Sequence, residues 1–307
     1  MTERTFFFEA DDQVEIFVRQ WAKVDNPRAV LQIAHGMAEH SARYARFARA
    51  CNEQGIIVVA NDHRGHGHTG ERAGVLGYFS PDNGFDRVVD DLHLLNQWLG
   101  AQYPDLPIFL LGHSMGSFLA RRYIQKYAST IRGVILMGSG GDPGFAVKIA
   151  KFIALQQMKK DPTKPSPLLH KLTLGGYNRS VKNPRTAFDW LTRDHAEVDK
   201  YIADPFCGFM CSSGFYYDLF TGLELIHAPD EIKAVPPDLP ILVVSGEADP
   251  VGANGKGIRQ FVKLYEECGL KRIKTILYQE ARHELLNETN REEAIRDIFA
   301  WLEEQLA

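Results

Sequence analysis

"PIFLLGHSMGSFLARRYIQKY", residues 107–127, decides how the rest of the chain is read. Its opening residues are a continuous apolar run, the pattern of a strand buried on both faces. "SFLARRYIQKY" then sets Leu119, Tyr123 and Ile124 at helical spacing. Between the two stands Ser114, with Gly112 and Gly116 on either side. Strand, glycine-flanked serine and helix together describe a sharp turn that lifts a hydroxyl clear of the backbone. The glycines remove side chains where strand and helix come closest. A short glycine pattern alone is weak evidence; its position between a strand and a helix makes Ser114 a candidate nucleophile instead of a small residue in a bend.

The same kind of buried run recurs in "AVLQIAHG" (29–36), "GIIVVAND" (55–62), "GVILMGSG" (133–140) and "PILVVSGEAD" (240–249), each ending in Gly, Ser, His or Asp. Stretches with helical spacing lie between them: Tyr44, Phe47, Ala48 and Cys51; Val88, Leu92, Leu95 and Leu99; and, near the end, Ile295, Ile298, Phe299 and Leu302. This alternation predicts an α/β fold with a mostly parallel, doubly wound sheet. "TFFFEA" and "VEIFVRQW" read as an antiparallel edge added to it. After Gly140 the alternation stops, and aromatics, Gly and Pro dominate until about Pro229. The expected organisation is a core from 1–140, an inserted helical cap from 141–229, and the rest of the core from 230–307.

Composition excludes several classes of function. Lys and Arg number 35 against 39 Asp and Glu, a net charge of -4, so there is no basic field for nucleic acid. Four cysteines are too few and too scattered for a disulfide framework, which fits a reducing cytoplasm. The N-terminal stretch lacks the zones of a signal peptide, and no run approaches the roughly 18 apolar residues of a membrane span. Nothing in the sequence fixes the oligomeric state.

A serine hydroxyl needs a base to take its proton, and that base needs an orienting acid. Asp249 follows the strand "ILVVSGEA" and His283 follows "TILYQEAR", so both lie just beyond the carboxyl ends of predicted strands, where loops can aim them across the sheet. Glu247 is a competing acid. An oxyanion formed by attack needs backbone N–H donors; Met115, after the serine, is one candidate, and Met37, in "IAHGMAEH" (33–40), is the other.

Taken together these residues resemble the α/β-hydrolase serine hydrolases that include monoacylglycerol lipases and bacterial lysophospholipase-like enzymes. The similar segments are "HGMAEHSARY" (35–44), "NDHRGHGHTG" (61–70), "GHSMGS" (112–117), "SGEADPVG" (245–252) and "ARHELLNE" (281–288), with the cap stretch "RTAFDWLTRDHAEVDKYIADPFCGF" (185–209). The resemblance implies nucleophile, acid and base at Ser114, Asp249 and His283, and oxyanion donors at Met37 and Met115. It departs at Ser117, where the lipases usually carry another glycine.

His63, His66 and His68 crowd one loop, but no cysteine or carboxylate set completes a metal site, so a shaped loop is expected and no metal or organic cofactor is required. Cys207 and Cys211 fit neither a redox pair nor a zinc knuckle and read as core residues. In the cap, Phe145, Ile149, Phe152 and Ile153 share one helical face near Lys148 and Lys151. That face either packs on the core, lines an acyl tunnel, or makes transient contact with a lipid surface. Phe209, Phe215 and Tyr216 are further candidates for the acyl pocket. The expected activity is carboxylic-ester hydrolysis through an acyl-enzyme. Its substrate would be a monoacylglycerol or another single-chain acyl ester. The alternatives are an esterase or thioesterase for short or aromatic acyl groups, a peptidase releasing N-terminal residues, and a binding module with a dead site.

Overall fold

Val30 and Ala34 project to one side of their strand and Ala29, Leu31 and Ile33 to the other, and all are buried. A strand apolar on both faces needs a layer of helices on each, and the computed structural model, which describes residues 3–307, has that arrangement. Eight strands form one sheet: β1 (Glu3–Glu9), β2 (Glu15–Trp21), β3 (Ala29–Ala34), β4 (Ile56–Asn61), β5 (Ile108–His113), β6 (Gly133–Met137), β7 (Ile241–Gly246) and β8 (Ile273–Tyr278). They lie in the order β1-β2-β4-β3-β5-β6-β7-β8. β1 and β2 pair antiparallel at the edge, and β3 to β8 run parallel.

The helices are α1 (Ala45–Glu53), α2 (Gly67–Arg72), α3 (Gly84–Gln102), α4 (Met115–Tyr127), α5 (Phe145–Met158), α6 (Pro167–Leu174), α7 (His195–Ala203), α8 (Ser213–Ile226), α9 (Pro229–Ile232), α10 (Lys256–Glu267) and α11 (Arg291–Leu306). Two apolar cores result. Side chains of α3, α4, α8 and α10 cover one face of the sheet, and those of α1 and α11 cover the other. The buried periodic residues are those with helical spacing in the sequence, among them Val88, Leu92, Leu95 and Leu99 on α3.

α5 to α9 all fall between β6 and β7, which are adjacent and parallel. The loops at the carboxyl ends of β3, β5, β7 and β8 converge beneath that stretch. No helix among the described residues is long and apolar enough to cross a membrane.

Candidate active site

Ser114 sits between the end of β5 and the start of α4 at φ 55°, ψ -121°, a conformation that residues with a Cβ rarely adopt. Its N–H donates to the Met137 carbonyl at 2.9 Å, which ties the turn to β6. A Cβ on Gly112 would overlap the Gly116 carbonyl oxygen, and one on Gly116 would overlap that of Ala34. The flanking glycines are therefore steric requirements of a turn packed against β3. Such strain persists where the surroundings over-determine it, and it leaves the Ser114 side chain on the wall of a cavity.

His283 lies in the loop after β8, with its ring between His113 (centroids 4.8 Å apart) and Trp190 (5.1 Å) and close to Gly138. Its Nδ1 is 2.9 Å from Asp249 Oδ2. The other Asp249 oxygen accepts from the Val251 N–H at 2.9 Å, so the carboxylate is fixed in place. An ionised Asp249 accepts only, so His283 carries its proton on Nδ1 and leaves Nε2 bare, the tautomer of a base. Burial pulls the imidazole down, but the charge and hydrogen bond of Asp249, helped by Glu284 and Glu39, hold its pKa above the ordinary value. Ser114 and His283 line the same cavity; their side chains share no hydrogen bond in this arrangement, and catalytic contacts of this kind often tighten only with substrate bound. Glu247, the competing carboxylate, is exposed and pairs with Arg259.

Met37 and Met115 line the cavity beside Ser114. Met115 is the first residue of α4, so its N–H has no helical carbonyl behind it. Met37 follows Gly36, whose N–H is taken by Glu39 Oε1 at 2.5 Å.

Beneath the site lies a charged cluster. Arg43 donates to both Glu284 oxygens at 2.7 Å and also to Glu39. Burial raises both carboxyl pKa values, but Arg43, joined by His113 at both and by His35 and the Gly36 N–H at Glu39, holds them below the usual range. Glu39 also accepts from the Tyr44 hydroxyl, and Glu284 from the Asn287 amide. Neither carboxylate keeps a free charge for a ligand.

The histidine-rich loop is a packed stack. His35 Nδ1 donates to the Gly36 carbonyl while its Nε2 accepts from the His63 N–H, and His66 packs against Phe79, Phe209 and Phe215. Burial pushes His66 down to about 3, so it stays neutral. His68 faces Glu71 nearer the surface. A grouping that the sequence reading missed is His40, Asp204 and Cys207, which each bring one ligand atom within 4.8 Å of the others. His40 Nε2 and Asp204 Oδ2 already share a 2.9 Å contact, and burial pushes the Cys207 thiol far up, so the triplet reads as a junction between two loops.

Residues 25–290 match the Hydrolase_4 family, described as "Serine aminopeptidase, S33". The chain belongs to this family. Human monoglyceride lipase is 30% identical over 312 residues, covering 97% of this chain and 89% of that protein. The monoacylglycerol lipase of Mycolicibacterium smegmatis is 26% identical over 94% of this chain and 93% of its own length. The crystal structure of a highly thermostable carboxyl esterase from Bacillus coagulans superposes with a TM-score of 0.92 at 28% identity, covering 100% of both chains. The chain is a serine hydrolase of the α/β-hydrolase fold.

The hydrolase's cavity has a different wall from the one expected. Of the seven cap side chains named from the sequence, Phe209 lines it. Phe145 and Ile149 do not: they are 73% and 51% exposed, because Val147 and Ala154, on another side of α5, take the buried contacts. α5 is apolar nearly all round, so periodicity found a face without showing what it faces. Phe215 and Tyr216 lie behind the wall, Phe215 against Phe79 at 4.7 Å and the Tyr216 hydroxyl 3.4 Å from His170 Nδ1. The missed wall residues include His170, Tyr177, Trp190, Tyr201 and Leu219. Trp190 and Tyr201 fall in the stretch 185–209 quoted for its resemblance, which was the signal available.

Proposed function

We propose that this hydrolase cleaves carboxylic esters of single-chain acyl lipids, monoacylglycerols first, through an acyl-enzyme on Ser114. The observation that carries the reading is the pairing of a strained, cavity-facing serine with a histidine on the same cavity whose Nδ1 is fixed 2.9 Å from a buried aspartate. His283 Nε2 takes the Ser114 proton as the oxygen attacks the ester carbonyl. The Met37 and Met115 N–H groups receive the oxyanion. The C–O bond to the alcohol then breaks, and the alcohol leaves with the proton from His283. Water, deprotonated by the same imidazole, attacks the acyl carbonyl, and the acid departs as Ser114 regains its proton. Asp249 holds the tautomer and stabilises the imidazolium.

Residues 141–229 act as a cap over this site. Phe145, Ile149 and Phe152 of α5 are exposed on the helix that also carries the exposed Lys148, which supports transient contact of that helix with a lipid surface.

One observation favours a second reading. The cavity holds about 70 Å³, less than the roughly 150 Å³ of a cavity that binds benzene. Short acyl esters fit it with less displacement of the cap than long ones. An aminopeptidase reading has less support, because the nearby carboxylates Glu39 and Glu284 are consumed by Arg43 and leave no partner for a substrate ammonium. The test is a p-nitrophenyl ester series of rising chain length beside a monoacylglycerol and an aminoacyl amide. Highest kcat/KM on monoacylglycerol supports the first reading and a preference for acetyl esters the second. A folded protein that a fluorophosphonate leaves unlabelled at Ser114 refutes both.

A further inference from the structure

The stretch from Asp189 to Gly208 touches both loops that the proposed reaction uses. On the base side, Trp190 lies against His283, the Leu191 carbonyl accepts from the Glu284 N–H at 2.7 Å, and Arg282 donates to the carbonyls of Asp189 and Thr192 at 2.6 and 3.1 Å. On the oxyanion side, the Ala38 carbonyl accepts from the Tyr201 hydroxyl at 2.9 Å and from the Gly208 N–H at 3.0 Å, and Asp204 meets His40. Ala38 sits at φ 52°, a left-handed conformation unfavourable for a residue with a Cβ, and such a conformation holds where neighbours fix it. Both donors to its carbonyl come from this one stretch. Tyr201 is 7% exposed, with its ring under the Arg43 guanidinium at 4.9 Å, so the hydroxyl is held on target.

We propose that Tyr201 is a positioning residue for the oxyanion loop: with the Gly208 N–H it pins the Ala38 peptide, and so keeps the preceding Met37 N–H aimed at the oxyanion on Ser114. This rests on the roles given above to Ser114 and Met37. The same contacts make competence depend on the seating of residues 189–208. If that stretch lifts to admit substrate, Ala38 loses both of its partners while His283 loses the ring of Trp190. Chemistry then waits until the stretch settles again.

Tyr201→Phe keeps the ring and removes the donor. For p-nitrophenyl butyrate, kcat falls about tenfold, less than the ~10²–10³ lost when an oxyanion donor is deleted outright, because the Gly208 N–H remains. KM stays within about twofold, the sign of an interaction made in the transition state. The inhibition constant of phenylboronic acid, whose tetrahedral adduct on Ser114 needs the oxyanion donors, rises by the same factor as kcat/KM falls. Asp204→Ala, at the neighbouring anchor, acts in the same direction but less strongly. A folded Tyr201→Phe with wild-type kcat and boronate affinity, or with a change in KM alone, overturns the proposal. Should that variant not fold, Asp204→Ala decides by the same criteria. Fluorophosphonate labelling of the wild type separates the two levels. No labelling refutes the nucleophile assignment; labelling with an unaffected variant refutes only the role of Tyr201.

Discussion

Arg43→Met removes the cation between two buried carboxylates. The side chains of Arg43, Glu39 and Glu284 are 12%, 4% and 5% exposed, so water screens them little. Taking one partner from a buried pair costs about 3–5 kcal/mol, and with two carboxylates stranded here we expect the upper end, about 5 kcal/mol. That is comparable to the whole stability of a weak domain. Glu284 relieves the cost by taking up a proton, since burial and Glu39 push its pKa up once Arg43 no longer holds it down, whereas Glu39 keeps His113, His35 and the Gly36 N–H. In the wild type both are depressed, so their contribution is present above the unfolded value of about 4.3 and lost as pH falls through the folded pKa. In the variant Glu284 is raised, so its penalty is full above the folded pKa and fades as pH falls towards about 4.3. The gap between the two proteins is therefore largest at pH 8 and shrinks by pH 5. Urea unfolding at both pH values measures it. Calorimetry should show a midpoint about 8 °C lower at pH 8, taking roughly 2.1 cal/mol/K of unfolding entropy per residue over 307 residues. A loss below about 1 kcal/mol, or one unchanged between pH 8 and pH 5, would refute the reasoning.

Ser114→Gly and Ser114→Ala should both lack turnover, but the glycine variant should be more stable by about 1 kcal/mol. Strain of about 1–3 kcal/mol is relieved against a glycine entropy cost of about 0.5–1 kcal/mol, and thermal melts of the pair check the difference. In the wild type kcat/KM should rise with pH as His283 deprotonates, with a midpoint above the ordinary value of about 6.5. The same raised pKa gives a stability contribution present below about 6.5 and lost as pH rises through the folded value. Asp249→Asn should lower kcat by about 10⁴ and move the midpoint to more acid pH, because burial then acts on the imidazole without the opposing carboxylate; a pH–rate profile reads both. Phe209→Ala should shift the ester series towards longer acyl groups, whereas Phe145→Ala should leave kcat/KM for a soluble ester unchanged.

Features fixed by near neighbours were readable from the chain. The Ser114 turn needs only a buried run, two glycines and a helix within twenty-one residues, and strand ends deliver Asp249 and His283. The charged cluster was hidden because Arg43 meets Glu284 across 241 positions of sequence, and either residue alone looks like an ordinary surface charge. The cavity wall was hidden for a different reason. Apolar side chains such as Phe215 and Phe145 carry the same signal whether they fill a core, border a cavity or face outward, and only packing distinguishes these fates.

β6 and β7 pair directly although residues 141–229 lie between them in the chain, and α8 from that excursion returns to cover one face of the sheet. The outer part of the excursion can lengthen, shorten or be exchanged over generations while the scaffold and α8 keep their packing. Yet residues 189–208 grip both the loop of His283 and the loop of Met37 and Ala38, so a transplanted excursion would bring its own fastenings or leave the proposed machinery slack. Variation in what such hydrolases accept should therefore concentrate in α6, which lines the cavity with His170, Thr173 and Leu174, and the stretch holding Tyr201 should change only in step with the loop that carries Ala38.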